Sequence, residues 1–160
     1  MATRILGIDP GSRCTGYGIL EQDNGLSPTY VTHGYIATNS TDMSQKLLQI
    51  HQNLVDIIQL HQPNEIAIEQ VFLSQNPQTA LKLGQARGAA LVATAGHDLP
   101  MAEYSARQIK KSVVGYGAAA KTQIQHMIKI LLKLSKPVQA DAADALAVAL
   151  CHCHHRRGNL

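Results

Sequence analysis

Asp9 and Glu69 each close a short apolar run, Ile5-Leu6-Gly7-Ile8 and Ile66-Ala67-Ile68. Both runs read as buried strands. If the two strands are parallel neighbours, both carboxylates project from one sheet edge, the edge where open α/β sheets place their sites. A carboxylate at the end of an apolar strand is costly to leave uncompensated, and a metal ion removes that cost. For Asp9 alone, a cap or turn role remains open. Asp141 and Asp144 lie three apart in a segment otherwise almost all Ala, Leu and Val, so they share one helical face. The helix macrodipole accounts for Asp141 near an N-terminus and less well for Asp144. If that face packs beside the two strand ends, four carboxylates converge and their repulsion demands cations. Hard oxygen ligands suit Mg²⁺ or Mn²⁺. Two such ions ~4 Å apart can activate a water and stabilise a leaving oxygen in phosphodiester hydrolysis.

The elements that must position these acids follow from pattern. Residues 4–9, 15–20 and 30–37 read as three strands with short links, an antiparallel meander. Leu47, Ile50, Leu54, Ile57 and Ile58 recur at helical spacing across residues 44–61, and Pro63 closes that helix. Strands follow at 65–69 and 99–104, separated by a helix over 77–96 rich in Gly and Ala. Its small residues fit close packing on its own sheet or a subunit interface. Ser105 to Gln108 carries a capping-box pattern and starts a short basic helix. Residues 121–134 form an amphipathic helix, Pro137 interrupts, and residues 140–152 form the last helix. The order β-β-β-α-β-α-β-α-α-α implies an α/β domain: a five-stranded mixed sheet, three strands antiparallel and two parallel, with helices on both faces.

Composition bounds the reading. At 160 residues the chain fits one domain spanning residues 1–160, and 45% apolar content supports one sizeable core. No window approaches the ~20 apolar residues of a membrane span, and no signal-peptide pattern stands at the start. Three cysteines, Cys14, Cys151 and Cys153, make no disulfide framework, so a reducing cytoplasm is expected. Cys14 fits a small apolar filler rather than a nucleophile. The tail from Cys151 to Arg157 is rich in soft ligands but lacks defined zinc spacing, and residues 153–160 are expected to fray. Charge is uneven. Residues 1–80 carry three bases against seven acids, residues 81–160 eleven against four. The basic second half fits a polyanionic partner, and from charge alone it fits a solvated basic face equally well.

Several segments together resemble the RuvC family of bacterial Holliday-junction resolvases. They are Gly7-Ile8-Asp9-Pro10-Gly11-Ser12-Arg13-Cys14-Thr15-Gly16-Tyr17-Gly18, Ile68-Glu69-Gln70-Val71-Phe72, Tyr104-Ser105-Ala106-Arg107-Gln108, and Gln139 through Ala147. They occur in the family's order and spacing over nearly the whole chain. The resemblance implies an RNase H-like fold and a homodimer that nicks two opposed strands of a four-way DNA junction symmetrically. It implies that Asp9, Glu69, Asp141 and Asp144 are metal-binding and catalytic, holding two Mg²⁺ per subunit with Mn²⁺ as substitute. Phe72, the lone Phe, matches an aromatic that acts on bases near the junction. Lys110 and Lys121 match basic positions facing DNA, and Arg13, Arg107 and Lys111 are further candidates for phosphate contacts. The family works beside the RuvA and RuvB branch-migration proteins.

Three other readings compete. Sugar kinases and actin-like ATPases also open on a strand, an Asp and a Gly-containing turn. They require two such domains and a second phosphate loop, and they leave Asp141 and Asp144 unexplained. A non-catalytic junction-binding protein has no need of all four carboxylates. An RNase H-like nuclease acting on RNA stays open on sequence grounds.

Overall fold

In the computed structural model, which describes residues 1–70 and 76–158, the sheet has five strands in the order β3-β2-β1-β4-β5. Strands β1 (Thr3–Asp9), β2 (Cys14–Gln22) and β3 (Thr29–Ala37) form the antiparallel meander. Helix α1 (Met43–His61) crosses to β4 (Glu65–Glu69), which runs parallel to β1 with Ile8 opposite Ile68. Helix α2 (Pro77–Ala95) leads to β5 (Met101–Tyr104), parallel to β4. Three helices follow: α3 (Ala106–Val114), α4 (Lys121–Leu131) and α5 (Ala140–Gly158). The mixed sheet class and the order of elements along the chain read from pattern both hold. Boundaries move by a few residues. The last strand begins at Met101 rather than residue 99, and α4 stops at Leu131 because Lys133 takes a left-handed φ of 54°.

Strand alternation divides the core in two. Leu6, Ile8, Ile19, Ile66 and Ile68 face α1 and α2. Ile5, Leu20, Ala67 and Tyr104 face α3, α4 and α5. Asp9 follows Gly7 and Glu69 follows Ala67 by two residues, so both acids point to the α5 side.

Helix α5 lies directly on strand backbone. Gly7 of β1 and Gly18 of β2 are cross-strand partners, and Gly16 is opposite Asp9. A Cβ on Gly7 would collide with the Ala145 carbonyl and come within 2.8 Å of the Ala149 amide nitrogen. On Gly16 it would collide with the Asp141 carbonyl, and on Gly18 it would lie 2.5 Å from the Leu146 side chain. Glycine on the strands and alanine on the helix remove the side-chain layer that normally separates helix from sheet. The core-facing stretch of α5 is buried from Ala145 to Cys153.

The expectation of a frayed end from about residue 153 is corrected: α5 continues to Gly158. Polar anchors hold it there. His152 Nε2 lies 2.6 Å from Glu65 and its Nδ1 2.7 Å from the Tyr104 hydroxyl. Arg156 pairs with Glu65 at 3.1 Å and donates to Thr3 and the buried Gln22. Because the collision at Gly7 is with backbone, which cannot rotate away, Gly7→Ala should destabilise the chain by at least about 1–3 kcal/mol. Gly96→Ala, with helical φ and only ordinary contacts, should be near neutral. Urea unfolding midpoints of the two variants check this.

Candidate active site

The sheet edge at the C-terminal ends of β1 and β4 meets the N-terminal turn of α5. Carboxylate oxygens of Asp9, Asp141 and Asp144 all lie within 4.8 Å of one another, a grouping able to hold a metal ion. Glu69 sits beside this trio rather than within it. Its charge acts on Asp9, and it lines a cleft of about 210 Å³ with Asp144, Lys110 and Lys121.

Crowding is expressed in the acidities. Burial, and then the charges of Glu69, Asp144 and Asp141, push the Asp9 carboxyl up to about 8. Burial and Asp144 raise Glu69, and burial raises Asp144 against the opposing pull of Lys121. The donors are all hard carboxylate oxygens, and only a cation can let the group ionise fully. Such a donor set could hold a hard metal cation.

Lys121 opens α4, where a cation opposes the helix dipole. Its placement is explained by Asp144, 3.0 Å from Nζ. That pairing holds the Lys121 pKa above its usual value. Lys110 of α3 lines the same cleft and lowers the Glu69 pKa. The capping box of Ser105 and Gln108 sets the start of α3 and so the direction in which Lys110 is presented.

Gln139 opens the last of the family-like segments, but residue type and pattern assigned it no role. Its Oε1 accepts from the Ala142 amide at 2.9 Å, and its carbonyl accepts from Ala143. Its Nε2 donates to Asp141 Oδ2 at 2.7 Å. It caps α5 and aims the Asp141 carboxylate together. Its position just before Ala140 was the only signal, and Gln is not a favoured cap residue. Cys14 faces Asp141 and Gln139; burial and Asp141 push its thiol up to about 11, so it is a neutral filler and not a nucleophile.

The sequence profile described as "Crossover junction endodeoxyribonuclease RuvC" matches residues 5–152. The chain belongs to the RuvC family. A Coxiella burnetii family protein is 59% identical over 153 residues, covering 96% of this chain and 88% of that one. One from Legionella pneumophila is 54% identical over 158 residues, covering 98% and 90%. Among solved structures, Thermus thermophilus RuvC in complex with Holliday junction substrate superposes with a TM-score of 0.90 at 29% identity, covering 98% of this chain and 96% of that one. Yeast mitochondrial Ydc2, a Holliday junction resolvase, shares the fold at 14% identity with a TM-score of 0.68.

The remaining RuvC-like candidates are spread out. Arg13 lies in a second groove bordered by Asp141. Arg107 is exposed, with its stem packed over Gly117. Lys111 lies away from the acids, in a pocket with Ser112, His154 and His155. Phe72 falls outside the described residues.

The raised Asp9 pKa fixes a pH dependence. A folded-state pKa of about 8 against 3.8 means the native state binds the proton more tightly. Asp9 therefore costs no stability below about pH 4 and becomes increasingly unfavourable as pH rises towards 8. In EDTA, thermal stability should fall across that window. Asp9→Asn should flatten the slope, and Mg²⁺ should restore stability to the unmutated chain.

Proposed function

We propose that this chain resolves Holliday junctions as a metal-dependent endonuclease, cutting two opposed strands of a four-way DNA junction as a homodimer. The observation that carries the reading is the convergence of Asp9, Asp141 and Asp144 within 4.8 Å, beside Glu69 and two lysines in one cleft. Junction DNA is what the superposable T. thermophilus protein holds. When bound, two Mg²⁺ ions, or Mn²⁺ in their place, supply activation of the attacking water and neutralisation of the leaving oxygen.

This chain's own residues do the rest. Asp9 and Asp141, from strand end and helix start, fix the cation positions relative to the sheet. Glu69 and Asp144 extend the donor set towards Lys110 and Lys121. Lys121, whose Nζ lies 3.0 Å from Asp144 at the rim of the cluster, would offset charge building on the scissile phosphate. Arg107 and Lys111 give the backbone outlying anchors, and Phe72, three residues past Glu69, stacks on a base near the crossover.

A four-way junction presents two related strands, so a two-fold protein puts one site on each. The outward face of α2 fits that role: Leu81 and Val92 are 67% and 62% exposed, and added Cβ atoms at Gly84 and Gly88 meet open space. A smooth apolar stripe of this kind suits close packing against its own copy. RuvA and RuvB are the expected partners through family membership. No helix among the described residues is long and apolar enough to cross a membrane, in keeping with a cytoplasmic enzyme acting on DNA.

The test is cleavage of a synthetic four-way junction in Mg²⁺ with cut positions mapped, beside an RNA hairpin at matched salt. Paired symmetric nicks in the DNA are expected; binding without nicking, or preference for the RNA, would contradict the reading. Asp141→Asn should lower cutting by about 10³-fold or more while junction binding persists. Lys121→Ala should slow it by about 10²–10³-fold. Leu81→Glu should give a monomer in sedimentation that no longer makes paired cuts.

A further inference from the structure

The cleft containing Lys110 and Lys121 reaches the carboxylate cluster from one side. A second groove, of about 550 Å³, reaches it from the other, and Asp141 forms part of its wall. Asp141 and Asp144, one in each groove, are joined through the cluster. The second groove draws one cation from each of three elements: Arg13 from the turn before β2, Lys46 from the first turns of α1, and Lys82 from the first turns of α2.

These cations differ from the chain's structural ones. Arg4 pairs with Glu21, Arg87 with Glu103, and Arg156 with Glu65. Arg13, Lys46 and Lys82 make no ion pair with any described acid, and Asp141 is the one acid lining their groove. The helix ends add little to this, because α1 is capped by the Asp42 carboxylate and α2 by the Asn76 side chain. Three cations with no described ion pair around one groove are unfavourable alone and favourable around a polyanion.

We propose that Arg13, Lys46 and Lys82 hold the phosphate backbone of the cleaved strand on the side of the metal cluster opposite Lys110 and Lys121. The strand then runs through both grooves, gripped on each side of the scissile phosphate, with the carboxylates at the midpoint. The proposal rests on the nuclease reading above and assigns a strand path to it. It also explains how an acidic site avoids repelling DNA: cations from both halves of the chain flank it, although the first half is acidic in sum.

Junctions bearing a single neutral methylphosphonate linkage separate the possibilities. The linkage is moved one position at a time along the cleaved and uncleaved strands. Binding of the full-length chain and its K46Q/K82Q variant is measured in Ca²⁺ over a range of salt. For the unmutated chain, neutral linkages on one side of the scissile phosphate should weaken binding. In the variant those linkages should lose most of their effect, with a remainder due to Arg13, linkages on the other side should keep theirs, and the salt slope should drop by about 2. Lys82 is exposed and Lys46 half-buried, so an unchanged melting temperature verifies folding of the variant. A variant with the unmutated salt slope and full sensitivity at every position would overturn the proposal, as would coupling to the uncleaved strand. If the unmutated chain cuts the junction while the variant behaves identically, only the strand path fails; if the unmutated chain cuts nothing, the nuclease reading fails with it.

Discussion

Helix α5 rests on the backbone of β1 and β2, with Gly7, Gly16 and Gly18 opposite Asp141, Ala145, Leu146 and Ala149. Ordinary side chains there would hold the helix several ångströms further from the sheet. The carboxylates of Asp141 and Asp144 could then not reach Asp9. The metal-type site is thus a consequence of what the strands lack. The anchors at the other end, where His152 and Arg156 meet Glu65, fix the helix along its length. A slide of one turn, about 5.4 Å, would carry both aspartates out of register with the strand ends.

That close approach creates the site's main cost, a group of acids forced together. The fold offsets it by placement: Lys121 leans on Asp144, Lys110 faces Glu69, and Asp9 keeps its proton into mildly alkaline conditions when no cation is bound. A polyanionic substrate and a cationic cofactor therefore stabilise the same site from opposite directions.

Much of this was legible in the sequence. Short apolar runs marked the strands, helical spacing of apolar residues marked α1 and α4, the capping box marked the start of α3, and acids closing two apolar strands marked the sheet edge. The spacing of Asp141 and Asp144 gave their shared face. Spacing could not show that the two pairs meet, because that depends on how deep α5 sits. Gln139 stayed hidden because its role comes from a cap geometry that its residue type does not advertise. The run from Cys151 to Arg157 looked like a tail because soft and basic residues resemble a solvated end. Its buried contacts with Glu65, Tyr104 and Gln22 are distant in sequence. The split of charge between halves does not show where cations gather in space: Arg13 and Lys46 of the first half line one groove with Lys82 and Asp141.

We propose that the approach of α5 assembles a divalent-cation site from Asp9, Glu69, Asp141 and Asp144. Crystals soaked in Mn²⁺ and measured at the manganese edge should show anomalous density bounded by these four carboxylates, and its loss in Asp9→Asn. Density absent there, or confined to the His154 and His155 pocket, would contradict it.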